Sequence, residues 1–458
     1  MTRAAEPGDT RMQASTSTMP AAATPAAPPR RSFHFRPYNL GRWVLWSLYA
    51  LVLFGAPLLW SSSLAQTLLS QIGIAIIACL AYNVLFGQGG MLSFGHAVYS
   101  GLGAFLAMHT LNMVSAGALQ VPVSLIPLVG GLGGLFFASL IGYVTTKKSG
   151  TTFAMITLGL GELVWSMSLM LPEFFGGEGG VSGNRVVGKA VWGITFGPQI
   201  QVYYLIAIYC FASTALMYAL TRTPLGRMLN AVRDNPERVE FIGYSTQHVR
   251  YLAFMISGFF AGIAGGLGAL NFEIVTAEVV GAARSGAYLL FVFLGGATFF
   301  FGPIIGAVLM VVALVMLSEL TKAWLLYLGL VFLFMVMYAP GGIASLIMMN
   351  VRVAAFGKLR RLVTSYLALA GTALVMLAGA AAMIEMLYHL QLNPALGPEM
   401  KFIGMPLNAK GLDSWFGAGF VLLTGLALFE LTRRNFKRQW DHIQEEIERE
   451  IKRREATA

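Results

Sequence analysis

RTPLGRMLNAVRDNPERVEFIGYSTQHVR, from Arg222 to Arg250, is a charged island in an apolar chain. It carries five arginines, with Asp234, Glu237 and Glu240 among them. A basic loop between membrane spans belongs on the cytoplasmic side. This one is long and helix-prone, enough for a structured platform rather than a simple turn: Arg233 and Glu237 are four apart and Glu237 and Glu240 three apart, which places them on one face of a single short helix. Such a platform offers a docking surface to a cytoplasmic partner.

The chain around it is 56% apolar and only 11% charged, against about 25% charged in soluble domains. Runs of roughly 20 apolar residues recur from Trp43 to Leu431, the length that crosses a bilayer as helix. Backbone groups in lipid must be satisfied internally, which favours helices. The short alternating segments of a β-barrel do not dominate. The fold expected is therefore an all-α polytopic membrane protein with 10–12 transmembrane helices. The net charge of +10 reads as positive-inside loops rather than a nucleic-acid surface. Cys79 and Cys210 lie inside apolar runs and read as small core hydrophobes.

Spans are expected near 43–60, 65–86, 93–112, 123–145, 153–171, 201–221, 250–270, 286–301, 303–319, 323–348, 363–388 and 415–432. With the N-terminus inside, Lys147 and Lys148, the Arg222–Arg250 loop, Arg352 to Arg361 and Arg433 to Arg438 all fall inside. The sparsely basic loops 172–200, 271–285 and 389–414 fall outside. This parity requires Gly286–Leu317 to be two passes, because a single helix of that length exceeds the bilayer. The break has its own marker, LGGATFFFGPIIG, and FGQGGMLSFGH is a similar stretch earlier in the chain. Glycine-rich breaks at corresponding places point to a transport pathway. Single glycines also serve close helix packing.

Residues 1–42 are rich in Ala, Pro, Ser and Thr, and read as a disordered cytoplasmic tail. They are not a signal peptide, because the first apolar run begins only near Trp43. No GxxxxGK[ST] phosphate loop, HExxH, paired CxxC or GxSxG occurs. No catalytic, metal or cofactor site is therefore expected. Intramembrane charge is scarce, and Glu162 in FAMITLGLGELVWSMSLM is the clearest case. A proton-coupled carrier would show several such groups. That scarcity argues against a secondary transporter or channel acting alone, which is the competing class. His96, in the first break, reads as a ligand or proton group or as a hydrogen-bonded packing residue.

Five segments, in order, resemble the permease subunits of the branched-chain amino-acid ABC importer family, of the LivM-like kind. They are GQGGMLSFGHAVYSGLGAF (87–105), SGTTFAMITLGLGEL (149–163), FGGEGGVSG (175–183), PLGRMLNAVRDNPERVEFIG (224–243) with AFMISGFFAGIAGGL (253–267), and FLGGATFFFGPIIGA (293–307) with PGGI (340–343). The resemblance covers about 43–348, which implies a permease domain there with its coupling loop at 222–250. It implies a second, LivH-like permease, two cytoplasmic ATPase subunits that bind ATP and Mg, and a periplasmic binding protein. It implies a bacterial inner-membrane location with both termini cytoplasmic. Branched-chain or other hydrophobic amino acids are the implied cargo. Closely similar permeases carry urea, short amides and small aromatic or carboxylic acids. Within the loop the resemblance implies coupling roles for Arg227, Arg233, Asn235, Glu237, Glu240 and Gly243. Arg238 and Val239 stand where the family pattern has alanines, and Thr152 where it favours Tyr. Gly90, Ser93, Gly95, His96, Tyr99, Thr157, Glu162, Gly295 and Gly296 are the expected pathway residues.

Residues 349–458 lie beyond the resemblance. They add two further spans within 349–432 and a charged tail, 433–458. Phe436, Trp440, Ile443, Ile447 and Ile451 recur at helical spacing, which predicts an amphipathic cytoplasmic helix. Such a helix lies on the membrane, is solvated, or clamps an ATPase or sister permease. The loop 389–414, with Pro394, Pro398, Lys401 and Lys410, is a candidate contact for the binding protein.

Overall fold

The computed structural model describes residues 40–187, 195–392, 397–402 and 404–457. Most of the expected N-terminal tail, and Pro394, lie outside the described residues. The chain divides into two units, Met1–Tyr49 and Ala50–Ala458. In the first, helix α1 (Leu40–Leu59) begins, and Trp46 meets Tyr49 edge to face at 6.0 Å.

The second unit continues with α2 (Ser63–Asn83), α3 (Ala97–Ser115), α4 (Ile126–Thr145) and α5 (Gly150–Met170). A single turn, α6 (Pro172–Phe175), and a two-residue strand, β1 (Val181–Ser182), precede α7 (Gln199–Arg222). Next come α8 (Pro224–Asp234), α9 (Pro236–Phe241), α10 (Thr246–Phe272) and β2 (Ile274–Val275), which pairs antiparallel with β1. Then follow α11 (Ala282–Gly295), α12 (Gly302–Val311), α13 (Ser318–Leu320), α14 (Trp324–Tyr338) and α15 (Gly342–Ala355). The last helices are α16 (Leu359–Leu392) and α17 (Leu412–Thr457), with the hairpin β3 (Glu399–Phe402) and β4 (Met405–Asn408) between them.

Nine described helices are long and apolar enough to cross a membrane, or ten if the α14–α15 pair, bent by 49°, counts as one span. The protein is thus a multi-pass membrane protein. The span expected at 323–348 is broken where Pro340 interrupts it; proline has no N–H to give the helix ladder. The expected split of Gly286–Leu317 is present: α11 and α12 fold back on each other around 296–301. A Cβ on Gly306 would lie 2.1 Å from the Phe291 carbonyl, and one on Gly295 2.2 Å from that of Gly302. These pairings run antiparallel. With 14 residues, α11 is only about 21 Å long and does not span the bilayer by itself. The chain before it, Ala277–Val280, is a 3₁₀ turn packed on α3 at Gly101. Irregular backbone at membrane depth is tolerated when buried in protein.

The centre of the unit is the contact of α3, α4 and α10. A Cβ on Gly262 would sit 2.2 Å from the Gly130 carbonyl, and one on Gly134 2.2 Å from that of Gly258. Glycine lets these backbones touch, the packing that drives helix association where no hydrophobic effect operates. Ser257 on α10 donates to the Ala81 carbonyl on α2 (2.6 Å).

In the C-terminal extension, α17 runs unbroken from its apolar part into the tail. The tail's apolar stripe packs within the chain: Ile443 and Ile447 are buried against Val353 and Leu362, with Phe436, Trp440 and Ile451 alongside. The expected lipid-facing or solvated stripe is therefore already covered. Lys358 Nζ meets Glu446 at 2.7 Å, and Arg361 reaches the same carboxylate at 3.6 Å. On α16, Glu385 accepts hydrogen bonds from Thr321 and from Tyr327 (3.1 Å), joining the extension to α14.

Candidate functional site: the Arg222–Arg250 loop and the two glycine-rich breaks

Two caps shape the loop. Thr223 and Asn235 each precede a proline, which disfavours helical backbone at their positions. Both are extended, with ψ 162° and 97°. Their side chains then accept from Gly226 N–H (3.3 Å) and Arg238 N–H (3.1 Å), opening α8 and α9. The expected single short helix is therefore two. Arg233 and Glu237 sit on either side of the Asn235 break and do not share a face.

Val239 anchors α9, buried to 2% exposure. The larger side chain at this position fills the core. Gly243 ends the element at φ +89°, donating its N–H to the Glu240 carbonyl at 2.9 Å. This is the helix exit expected of a glycine. Glu240 accepts from Thr246 Oγ1 (2.8 Å), tying the exit to the start of α10. Arg227 and Glu237 are exposed. The tip also carries Phe241, Ile242 and Tyr244, exposed at 88%, 65% and 54%. Sequence reading passed over these three because they look like ordinary apolar residues among charges. Three exposed apolar side chains within four residues thus form an apolar tip at the end of a capped helix.

Arg233 turns inward. It pairs with Asp234 at 2.9 Å, and its guanidinium donates to the Gly87 carbonyl in the first break. Its stem packs on Gly90, which has φ +65°; a Cβ there would lie 2.7 Å from Arg233 Cγ. Gly87 in turn touches the second break, since its Cβ would fall 2.2 Å from the Ala297 carbonyl. Phe86 and Phe293 meet beside this point, with centroids 6.5 Å apart. Loop and breaks are thus one contiguous structure. On the far side Gly296, at φ +110°, packs against Gly341 and Ala344 at the start of α15.

The first break is rich in buried polar atoms. His96 is fully buried among the rings of Tyr82 (5.2 Å), Tyr99 (6.2 Å) and Tyr288 (6.4 Å). Among the described residues its two ring nitrogens, Ser93 Oγ and Asn83 Oδ1 have no hydrogen-bond partner. The hydrogen-bonded packing reading of His96 therefore does not describe this conformation. Each such orphan costs about 1–3 kcal/mol. Tyr82 donates to the Ser93 carbonyl (3.0 Å), and Ala97 N–H to Ser285 Oγ (3.0 Å). Gly95 meets α5, where its Cβ would lie 2.2 Å from the Thr157 carbonyl. Thr157 Oγ1 accepts from Phe94 N–H at 3.2 Å. Gly95 is thus a tight contact between break and helix within the chain.

Glu162 stands apart. It lies on the exposed face of α5 with Thr152, Met155, Gly159 and Ser166, and makes no hydrogen bond or ion pair among the described residues. A carboxylate and small polar residues at membrane depth do not suit lipid.

At the other end of the bundle, Arg185 closes α10. It donates to the carbonyls of Phe196 (2.9 Å), Leu270 (3.3 Å) and Asn271 (3.2 Å), and its own N–H to Glu273 (2.9 Å). A guanidinium on a helix's carbonyl end complements the helix dipole. Nothing in the sequence around Arg185 signals this.

A multi-pass helical bundle with glycine-rich breaks joined to a capped surface loop defines a transport permease. Residues 64–340 match the family of the branched-chain amino acid transport system permease component, and the chain belongs to that family, the permease subunits of ABC importers. It is 30% identical over 291 residues to the high-affinity branched-chain amino acid transport system permease protein LivM of Salmonella typhimurium, covering 59% of this chain and 67% of the relative. It is 28% identical over the same length to LivM of Escherichia coli, with the same coverage. No solved structure gives a significant match.

Proposed function

We propose that this chain, paired with a second homologous permease in a bacterial inner membrane, forms the translocation pathway for branched-chain or other hydrophobic amino acids. ATP and Mg belong to two separate ATPase subunits that dock on the α8–α9 loop, and a periplasmic binding protein delivers the cargo. Both termini and the basic loops face the cytoplasm. The cargo reading draws support from the LivM relatives.

One observation carries the mechanism: Arg233, on the docking loop, is bonded to Gly87, and Gly87 abuts Ala297 of the second break. A push on Phe241 and Ile242 passes through α9 and α8 to both breaks at once. The buried polar atoms of Asn83, Ser93 and His96 take no hydrogen-bond partner among the described residues in this conformation. A second conformation that satisfies them is then within reach of partner binding, which only has to favour one state over the other. The Glu162 face of α5 meets the sister permease and lines the pathway between them.

The test is reconstitution of the four-subunit complex in vesicles with Arg233→Met. ATP hydrolysis should persist while ATP-driven leucine uptake falls by at least about tenfold, the loss of one charged hydrogen bond. Uptake at the normal ratio to hydrolysis would overturn this route of coupling.

A further inference from the structure

A cavity of about 180 Å³ opens between α2, α11 and α12. That is far above the roughly 10–15 Å³ that admits one water, and below the roughly 300–1,000 Å³ of sites for drug-sized molecules. Gln71 and Arg284 are among its lining residues, with Phe272, Val311 and Leu314 as apolar wall. Tyr288 lines it too, with the Arg284 guanidinium carbon 5.9 Å from the ring centroid. No carboxylate pairs with Arg284 among the described residues, and Gln71 makes no hydrogen bond there. Arg284 is half-buried, in the first turn of α11, whose N-terminal dipole also favours an anion. Arg284 thus keeps a half-buried guanidinium on this cavity with no counter-ion among the described residues, and a charge taken from water favours receiving an anion there.

We propose that this cavity binds a small aliphatic monocarboxylate. The carboxylate pairs with the Arg284 fork and accepts from the Gln71 amide, while the alkyl chain lies on Phe272, Val311 and Leu314. No acid lines the cavity, so an amino acid would leave its ammonium unpaired. The site therefore selects a simple acid over a zwitterion, whether a soluble short-chain acid or a fatty acid of the bilayer. The Tyr288 ring also meets His96 of the first break, with centroids 6.4 Å apart, so one side chain separates an occupant from that break. This reading is independent of the coupling route and is tested without ATP or transport.

The experiment measures binding of tritiated hexanoate to the full chain in lipid nanodiscs. Saturable binding is expected, weakened at least about tenfold by Arg284→Met, the scale of a charge-assisted hydrogen bond. Arg284→Lys should retain part of it, and Gln71→Leu should weaken it less than Arg284→Met. Hexanol and leucine should compete at least tenfold more weakly than unlabelled hexanoate. Competition by palmitate as strong as by hexanoate identifies the bilayer as the source; weaker competition identifies a soluble acid. Val311→Phe, which narrows the apolar wall and leaves both polar groups, should also reduce binding; thermal unfolding of each variant reports its fold. Hexanoate binding unchanged in folded Arg284→Met, or leucine competing as well as hexanoate, overturns the proposal.

Discussion

Replacing Gly243 isolates backbone conformation from every other property of the Arg222–Arg250 loop. The residue sits at φ +89°, and an added Cβ would meet nothing within 4 Å. Sterics and charge therefore drop out, and membrane topology is unaffected. What remains is the cost of a left-handed backbone, about 1–2 kcal/mol for an L side chain. That lowers the population of the present helix exit about fivefold to thirtyfold relative to glycine. Two hydrogen bonds depend on that exit, Gly243 N–H to Glu240 at 2.9 Å and Tyr244 N–H to Val239 at 3.2 Å. Phe241, Ile242 and Tyr244 would lose their fixed presentation with it. Asparagine tolerates positive φ, and a β-branched residue resists it most. ATP-driven uptake by the reconstituted complex should therefore fall in the order Gly243→Asn, Gly243→Ala, Gly243→Val, with Val at the severe end of that range. Uptake by Gly243→Val equal to that of the unaltered chain would show that the exit plays no part in coupling.

Other perturbations test the remaining parts. Phe241→Ser with Ile242→Ser should abolish capture of the ATPase subunits in a pull-down while the paired permease still co-purifies. Gly95→Leu should destabilise the chain, because its Cβ alone would lie 2.2 Å from the Thr157 carbonyl; a thermal melt within a degree of the unaltered protein would contradict this packing. Glu385→Ala removes the acceptor shared by Thr321 and Tyr327, a loss of about 1.5–3 kcal/mol per charged hydrogen bond. Limited proteolysis should then cut the α13–α14 junction faster. Glu446→Ala leaves Lys358 and Arg361 without their shared carboxylate, and trypsin should cleave at Lys358 at least severalfold sooner.

Hydropathy by itself determined that the chain is a helical membrane protein, because the bilayer demands long apolar helices whatever their neighbours. The split near residues 295–303 was also legible, since length and glycine content exclude one helix there. The glycine exit at Gly243 was readable because a backbone conformation depends on the residue that adopts it. Asn235–Pro236 carried a helix start of the same local kind, and so the two-helix form of the loop was present in the sequence although the charge spacing pointed to one helix. Tertiary structure alone decided the rest. It decided that Arg233 reaches Gly87, that Gly87 touches Ala297, that Glu162 faces outward and that the stripe of the tail is covered by Val353 and Leu362. It also left Arg284 without a carboxylate among the described residues. Local sequence sets which backbone a residue can adopt and how apolar a helix is; which distant side chain meets which depends on how the helices pack, and at these glycine contacts packing is set by the shapes of both surfaces together.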